Sequence, residues 1–172
     1  VIAKLAFAYC LFMCYNKAKA CSHVMMKDGI TVMKRTILAS GSPRRKELLE
    51  QIGIEFDIIT SDVDETTLIT QPDEYVKYLS RIKAQAVWDM VKDDDDYRNE
   101  DVVVIGADTI VSHKGHILTK PKDTGNAFDI LKELAGDCHQ VYTGVTLIKN
   151  NNVVSNFAEK TDVYCNDISD NE

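Results

Sequence analysis

The chain has no excess of basic charge. Its 20 lysines and arginines face 27 acidic residues, for a formal net charge of -7. A general nucleic-acid binder needs a basic face, so that class is excluded, and any anion has to be met at a local basic spot. There is one tryptophan, Trp88, and neither it nor the tyrosines interleave with a basic patch, so no base-stacking platform is indicated. No apolar run reaches membrane length. LAFAYCLFMCY, Leu5 to Tyr15, stops well short of the roughly 20 residues a spanning helix requires. The cysteines (Cys10, Cys14, Cys21, Cys138 and Cys165) are odd in number and form no CxxC, so neither a disulfide framework nor a zinc site follows. They read as free thiols in a reducing compartment, which points to the cytoplasm. No internal repeat is present.

What is there reads as one globular domain with a preceding segment of different character. The chain has 172 residues, 45% hydrophobic and 27% charged, enough for one domain with a core and too few for two. Residues 1–32 carry Lys4, the apolar run and NKAKAC, in the outline of an export signal. Met33 directly precedes KRTILAS, a natural opening for a first strand. The expectation is therefore an N-terminal extension over 1–32, outside the fold, and a folded domain over 33–172.

Within that domain strands alternate with helices. Thr36 to Ser40 reads as a buried strand and the stretch to Gly53 as a helix. Phe56 to Thr60 is a second short apolar run, ending in the acidic loop SDVDE. Pro72 and Asp73 open a longer helix with Tyr75, Val76, Leu79, Ile82, Ala86, Val87 and Met90 at helical spacing, and DDDDYRNED follows as a solvated connection. Val102 to Ile105 is a continuous apolar strand ending in Gly106-Ala107-Asp108-Thr109. Ile110 to Leu118 reads as a hairpin turning at Lys114-Gly115, and a helix capped by Asp123 or Thr124 runs to Gly136. His139 to Lys149 and Val153 to Tyr164 pair across the asparagine turn, and Asp167 begins a final helix. The class this implies is α/β, with a mixed central sheet and flanking helices.

One stretch breaks a local rule. In ILASGSPRRKELLEQIG, Ser42 suits the N-cap, Pro43 the first helical position and Gly53 the stop. Yet Arg44 and Arg45 occupy the first turn, where the helix dipole already presents positive charge. Cations belong at the other end. Gly41 and Ser42 let the backbone approach a ligand, exposed N–H groups favour an anion, and the two guanidinium forks suit phosphate oxygens. The alternative is that both arginines face solvent and pair with Glu47 or other surface acids. Asp108, after an apolar strand and a glycine, lies where open α/β sheets bind ligands, and can hold a divalent metal or orient water. Otherwise it caps a turn with Thr109. Glu65 offers a second hard-oxygen metal ligand, and Lys83 and Lys120 can neutralise phosphate. His113 and His116 straddle a turn with no helix to align them and make a poor metal pair. His139 reads as structural.

Together LASGSPRRKELL, DVDE, YLSRIKAQA, GADTIV, KPKDTGNAFDILKELAG and HQVYTGV resemble, in order and spacing, the Maf-like nucleoside triphosphate pyrophosphatases, over about Arg35 to Ile168. The resemblance implies a Maf/inosine-triphosphatase-like fold and metal-dependent hydrolysis, with Mg²⁺ or Mn²⁺, of a nucleoside triphosphate to monophosphate and pyrophosphate, as house-cleaning of nucleotide pools. It implies Asp108 as general base, Glu65 and Asp108 as metal ligands, and Ser42, Arg44, Arg45, Lys83 and Lys120 around the triphosphate. Thr109 after that Asp, with Arg44, looks like the dTTP/UTP-preferring branch. The same family association allows a non-hydrolytic nucleotide-binding regulator of cell division, and a homodimer. The family's Lys-Ala-Gly-Ala-Tyr-Gly-Ile-Gln-Gly segment, whose Gln helps select the base, does not occur. The expectation is that the C-terminal part of the domain is missing.

Overall fold

Two crossovers and two hairpins build one sheet. The computed structural model describes residues 34–98 and 100–167; the expected extension over 1–32 and all of the expected last helix beyond Asp167 lie outside the described residues. Strand β1 (Lys34–Ala39) leads into helix α1 (Pro43–Gln51), strand β2 (Asp57–Ile58) and helix α2 (Pro72–Val91). Strands β3 (Asp101–His113) and β4 (His116–Leu118) form a hairpin, helix α3 (Thr124–Leu134) follows, and β5 (Cys138–Lys149) and β6 (Asn152–Tyr164) form a second hairpin. The strand order is β2-β1-β3-β5-β6, with β4 also on β3. β1 is parallel to β2 and β3, whereas β3, β5 and β6 are successively antiparallel. This is the mixed α/β sheet with flanking helices that the sequence indicates.

The strand period of two divides the core into two layers. Leu38, Val103, Ile105, Ala107, Val145 and Leu147 pack with Leu48 and Leu49 of α1. Ile37, Ala39, Val102, Val104 and Ile148 pack with Ala84, Val87 and Val91 of α2. Each valine, leucine or isoleucine among them, if fully buried, contributes roughly 1.5–3 kcal/mol. Both two-residue turns take positive φ at both positions, Lys114 and Gly115 in one and Asn150 and Asn151 in the other. That is the mirror-image turn whose twist matches a hairpin. Helix α1 stops as expected at Gly53 (φ 72), where the Gly53 amide donates to Glu50 O and the Ile54 amide to Leu49 O.

Helix α2 lies against two side-chain-free positions on the sheet. A Cβ at Gly106 would sit 2.2 Å from Ser80 O, and one at Gly144 would sit 2.2 Å from Val76 O. Ser80 Oγ and Thr146 Oγ1 share a buried hydrogen bond of 2.8 Å beside them. These contacts fix the height of α2 above β3 and β5, and therefore the position of Lys83 one turn further on.

Several sequence expectations change. The strand expected to end at Ile105 continues to His113, because β5 pairs with β3 through Ser112 and keeps it extended. The run Phe56 to Thr60 contributes a two-residue strand. Met90, placed on the apolar stripe of α2, is exposed, and so are Phe128 and Leu131 of α3, which buries none of its residues. The acidic connection is exposed, yet Tyr97 within it donates to Asp57 at 3.3 Å and lies under Arg35, 4.3 Å from the ring centre.

Candidate active site at the end of the parallel strands

The site forms where β1 stops and β3 does not. Ala39, the last residue of β1, pairs with Gly106, and β4 joins β3 at Val111. Between them Ala107 to Ile110 pair with β5, and their other edge is left to the turn that carries β1 into α1. Asp108 is therefore mid-strand rather than at a strand end, which corrects the sequence reading. It still stands at the carboxyl end of the parallel half, two residues past the end of β1. Successive residues here point to opposite faces. Asp108 faces α2, on the side of Gly106. Thr109 faces α1.

On the α2 face, Lys83 Nζ lies 2.5 Å from Asp108 Oδ1 and 2.9 Å from Glu65 Oε1. Lys83 and Asp108 expose 19% and 12% of their side-chain surface, so the pair is shielded from water, while Glu65 at 51% closes it from outside. Burial pulls the Lys83 ammonium towards deprotonation, but hydrogen bonds to Asp108 and Glu65 outweigh it and hold its pKa above the ordinary lysine value. Glu65 comes from the acidic loop before α2. There Asp64 accepts the Thr66 amide at 2.9 Å, and hydrogen bonding from Thr66 lowers the Asp64 pKa.

On the α1 face, Arg45 Nη1 donates to Ser40 Oγ at 2.8 Å and Nη2 to Thr109 Oγ1 at 3.3 Å. Thr109 Oγ1 in turn lies 3.2 Å from Thr143 Oγ1 on β5. Burial lowers the Arg45 pKa, and the negative charge of Asp108 acts against that shift.

The structure brings together Glu65, Lys83, Asp108, Thr109 and Arg45. Ser42 occupies the N-cap as expected, although its hydroxyl does not cap the helix, and its amide donates to Ser40 Oγ at 3.3 Å. Arg44 projects from the same turn and is exposed, as the solvent-facing alternative had it for both arginines; Arg45 departs from that alternative. Lys120 is exposed on the loop after β4, without a hydrogen bond or ion pair to the cluster. Sequence reasoning missed Ser40 and Thr143. Ser40 lies in the same turn as the arginines and was legible from alternation along β1. Thr143 becomes visible once the register Thr109↔Thr143 is known.

Among the described residues no group of three or more His, Cys, Asp and Glu side chains could hold a metal by itself. Glu65 and Asp108 nevertheless both face the Lys83 ammonium, two hard-oxygen donors turned towards one point. A Mg²⁺-type ion is often held by one or two carboxylates, with substrate phosphates completing the shell, and this pair fits that requirement. His113 and His116 lie in different surroundings. His113 is fully buried, with Nδ1 2.8 Å from Glu133 Oε1 and Nε2 3.1 Å from Asp137 Oδ2, and His116 is exposed. His139 is buried, and burial followed by the charge of His113 lowers its pKa.

A family model described as Maf-like protein matches residues 35–172. A curated dTTP/UTP pyrophosphatase of Bacillus thuringiensis subsp. konkukian (strain 97-27) is 43% identical over 141 residues, covering 81% of this chain and 69% of that protein. Another, of Bacillus cereus (strain ATCC 10987 / NRS 248), is 43% identical over 81% of this chain and 65% of its own length. The chain thus spans about two thirds of the length of these curated relatives. A solved HAM1 protein from Coxiella burnetii superposes with a TM-score of 0.49 at 14% identity, over 76% of this chain and 71% of that one.

Proposed function

The chain belongs to the Maf-like family, and on that premise we propose that it hydrolyses nucleoside triphosphates, dTTP and UTP first, to the monophosphate and pyrophosphate. The observation that carries this reading is that adjacent residues of β3 meet cations on opposite faces of the sheet, the buried Asp108 meeting Lys83 and Thr109 meeting Arg45. Such a site is built to surround a polyanion and to use a carboxylate on it.

In this reading the triphosphate lies over the end of β1, with its oxygens on Arg45 and Lys83 and on the more exposed Arg44 and Lys120. Those cations stabilise the charge that grows on the leaving pyrophosphate as the bond to the α-phosphorus breaks. Asp108 orients a water on the α-phosphorus and takes its proton. We assign that role to Oδ2, since Oδ1 is held by Lys83. Glu65 and Asp108 would hold a divalent Mg²⁺ or Mn²⁺ ion, which supplies further charge neutralisation at the phosphates. Thr109 and Ser42 flank Arg45, the one accepting from its guanidinium and the other from its amide. The biological task is removal of unwanted nucleotides from the cytoplasmic pool, in keeping with the free thiols Cys138 and Cys165. Among the described residues no helix is long and apolar enough to cross a membrane.

The test is Asp108→Asn. Pyrophosphate release from dTTP should fall by on the order of a hundredfold or more while dTTP still binds, because the cations remain. Near-normal turnover in that variant overturns the assignment. Binding without release in the unaltered protein as well would instead favour a nucleotide-sensing regulator.

A further inference from the structure

We infer that Thr143 is a positioning residue that aims the Arg45 guanidinium at a nucleotide phosphate, acting through the hydroxyl of Thr109. The ligand class rests on the function proposed above; the relay itself rests on geometry. Thr143 is central in β5, paired across the sheet with Thr109, and keeps 6% of its surface exposed. Val145 and Leu147 follow it on the same face of β5, in an apolar layer. A valine would fill that place with no polar atom to satisfy. A buried hydroxyl is retained without cost only where it has a partner. Its partner is Thr109 Oγ1, at 3.2 Å.

Thr109 Oγ1 has one proton and also receives Arg45 Nη2 at 3.3 Å. A hydroxyl that accepts from a guanidinium must turn its own proton elsewhere, and Thr143 Oγ1 is where it can go. Without that acceptor the Thr109 hydroxyl is free to rotate and to present its proton to the cation. The guanidinium then loses a hydroxyl that helps to fix its plane, beside Ser40 Oγ at 2.8 Å. Three strands thus aim one fork: β1 through Ala39's neighbour Ser40, β3 through Thr109 and β5 through Thr143.

The test is a double-mutant cycle read in dTTP affinity by calorimetry, with divalent metal removed so that no turnover intervenes. Thr143→Val should weaken dTTP binding about tenfold, the scale of a coupled hydrogen-bond network. Thr143→Ser, which keeps the hydroxyl, should bind as the unaltered chain does. In an Arg45→Lys background Thr143→Val should have almost no further effect, because the fork it aims is gone. A merely structural role would weaken both backgrounds alike and would not be rescued by serine. Either result overturns the inference, and so does unchanged affinity in Thr143→Val. Turnover of the unaltered chain, measured separately, tells the two proposals apart: tight dTTP binding without pyrophosphate release removes the hydrolytic reading and leaves the relay standing.

Discussion

Lys83→Met removes the ammonium from between two carboxylates and leaves the alkyl stem in place. The cost follows from burial. Lys83 and Asp108 expose 19% and 12% of their side chains, so their pair is part-buried, and deleting one partner of a fully buried pair costs about 3–5 kcal/mol. The residual exposure puts the expectation at the lower end, about 3 kcal/mol. Glu65, half exposed, adds no more than the 0.2–1 kcal/mol typical of a surface pair, roughly within that margin. For a domain of this size, roughly 2–4 °C per kcal/mol translates this into a melting temperature lower by about 6–12 °C. Circular dichroism melts at pH 7 on the unaltered chain, Lys83→Met and Lys83→Arg measure it, with the arginine variant expected between the other two. A second arm adds Mg²⁺. If Glu65 and Asp108 are the metal ligands, the variant has lost the cation that competes for them, and Mg²⁺ should raise its melting temperature more than that of the unaltered chain. A Lys83→Met melt within about 2 °C of the unaltered chain contradicts the burial reasoning. A destabilised variant indifferent to Mg²⁺ contradicts the metal assignment.

The fold was legible where the pattern was strong. The long helix from Pro72, both hairpins and the Gly53 stop follow from spacing and turn chemistry that act locally, and the structure has them at those residues. The length of β3 was not legible. Gly106, Ala107 and Asp108 read as the end of the strand because a glycine, a small residue and an acid rarely continue one. They continue because Gly106 and Gly144 give room to α2 and because β5 supplies hydrogen bonds to the same edge. That information is non-local, and no window on one segment contains it. The site divides in the same way. The unfavourable arginines at the helix start announced themselves by violating a local rule, and Arg45 does turn inward. Which of the pair turns inward depends on where Ser40 and Thr109 lie. Lys83 was legible as a residue of the long helix able to meet phosphate, but its convergence with Glu65 and Asp108 is set by the seating of α2 on two glycines. Lys120 was read as able to neutralise phosphate, a role the resemblance repeated, and no hydrogen bond or ion pair among the described residues ties it to the cluster.

Two further perturbations test the scaffold. Gly106→Ala should place a Cβ 2.2 Å from Ser80 O and 2.9 Å from Ala84 N, both backbone atoms that cannot swing aside. Helix α2 must retreat, which takes Lys83 from Asp108 and costs about 3 kcal/mol, the upper range for overpacking. Denaturant unfolding should show that loss, and an unaltered midpoint would mean that α2 is not seated there. Asp137→Asn tests the clasp between the β3–β4 hairpin and the start of β5. The Asp137 carboxyl is held down to about 2, first by the Cys138 amide and then by Lys114 and His113. Its unfolded value is near 3.9, so the folded state favours the ionised form. The stabilisation is therefore present above about pH 4 and is lost as pH falls through about 2. Asparagine keeps an acceptor for the Cys138 amide but has no charge for Lys114 or His113 to meet, and no proton to take up. The variant should be less stable than the unaltered chain at pH 7, and the gap should narrow as pH falls from 4 to 2. Denaturant midpoints at pH 7, 4, 3 and 2 read that gap directly. Two curves that stay parallel down to pH 2 would show that the carboxylate's ionisation contributes nothing to holding the hairpin in place.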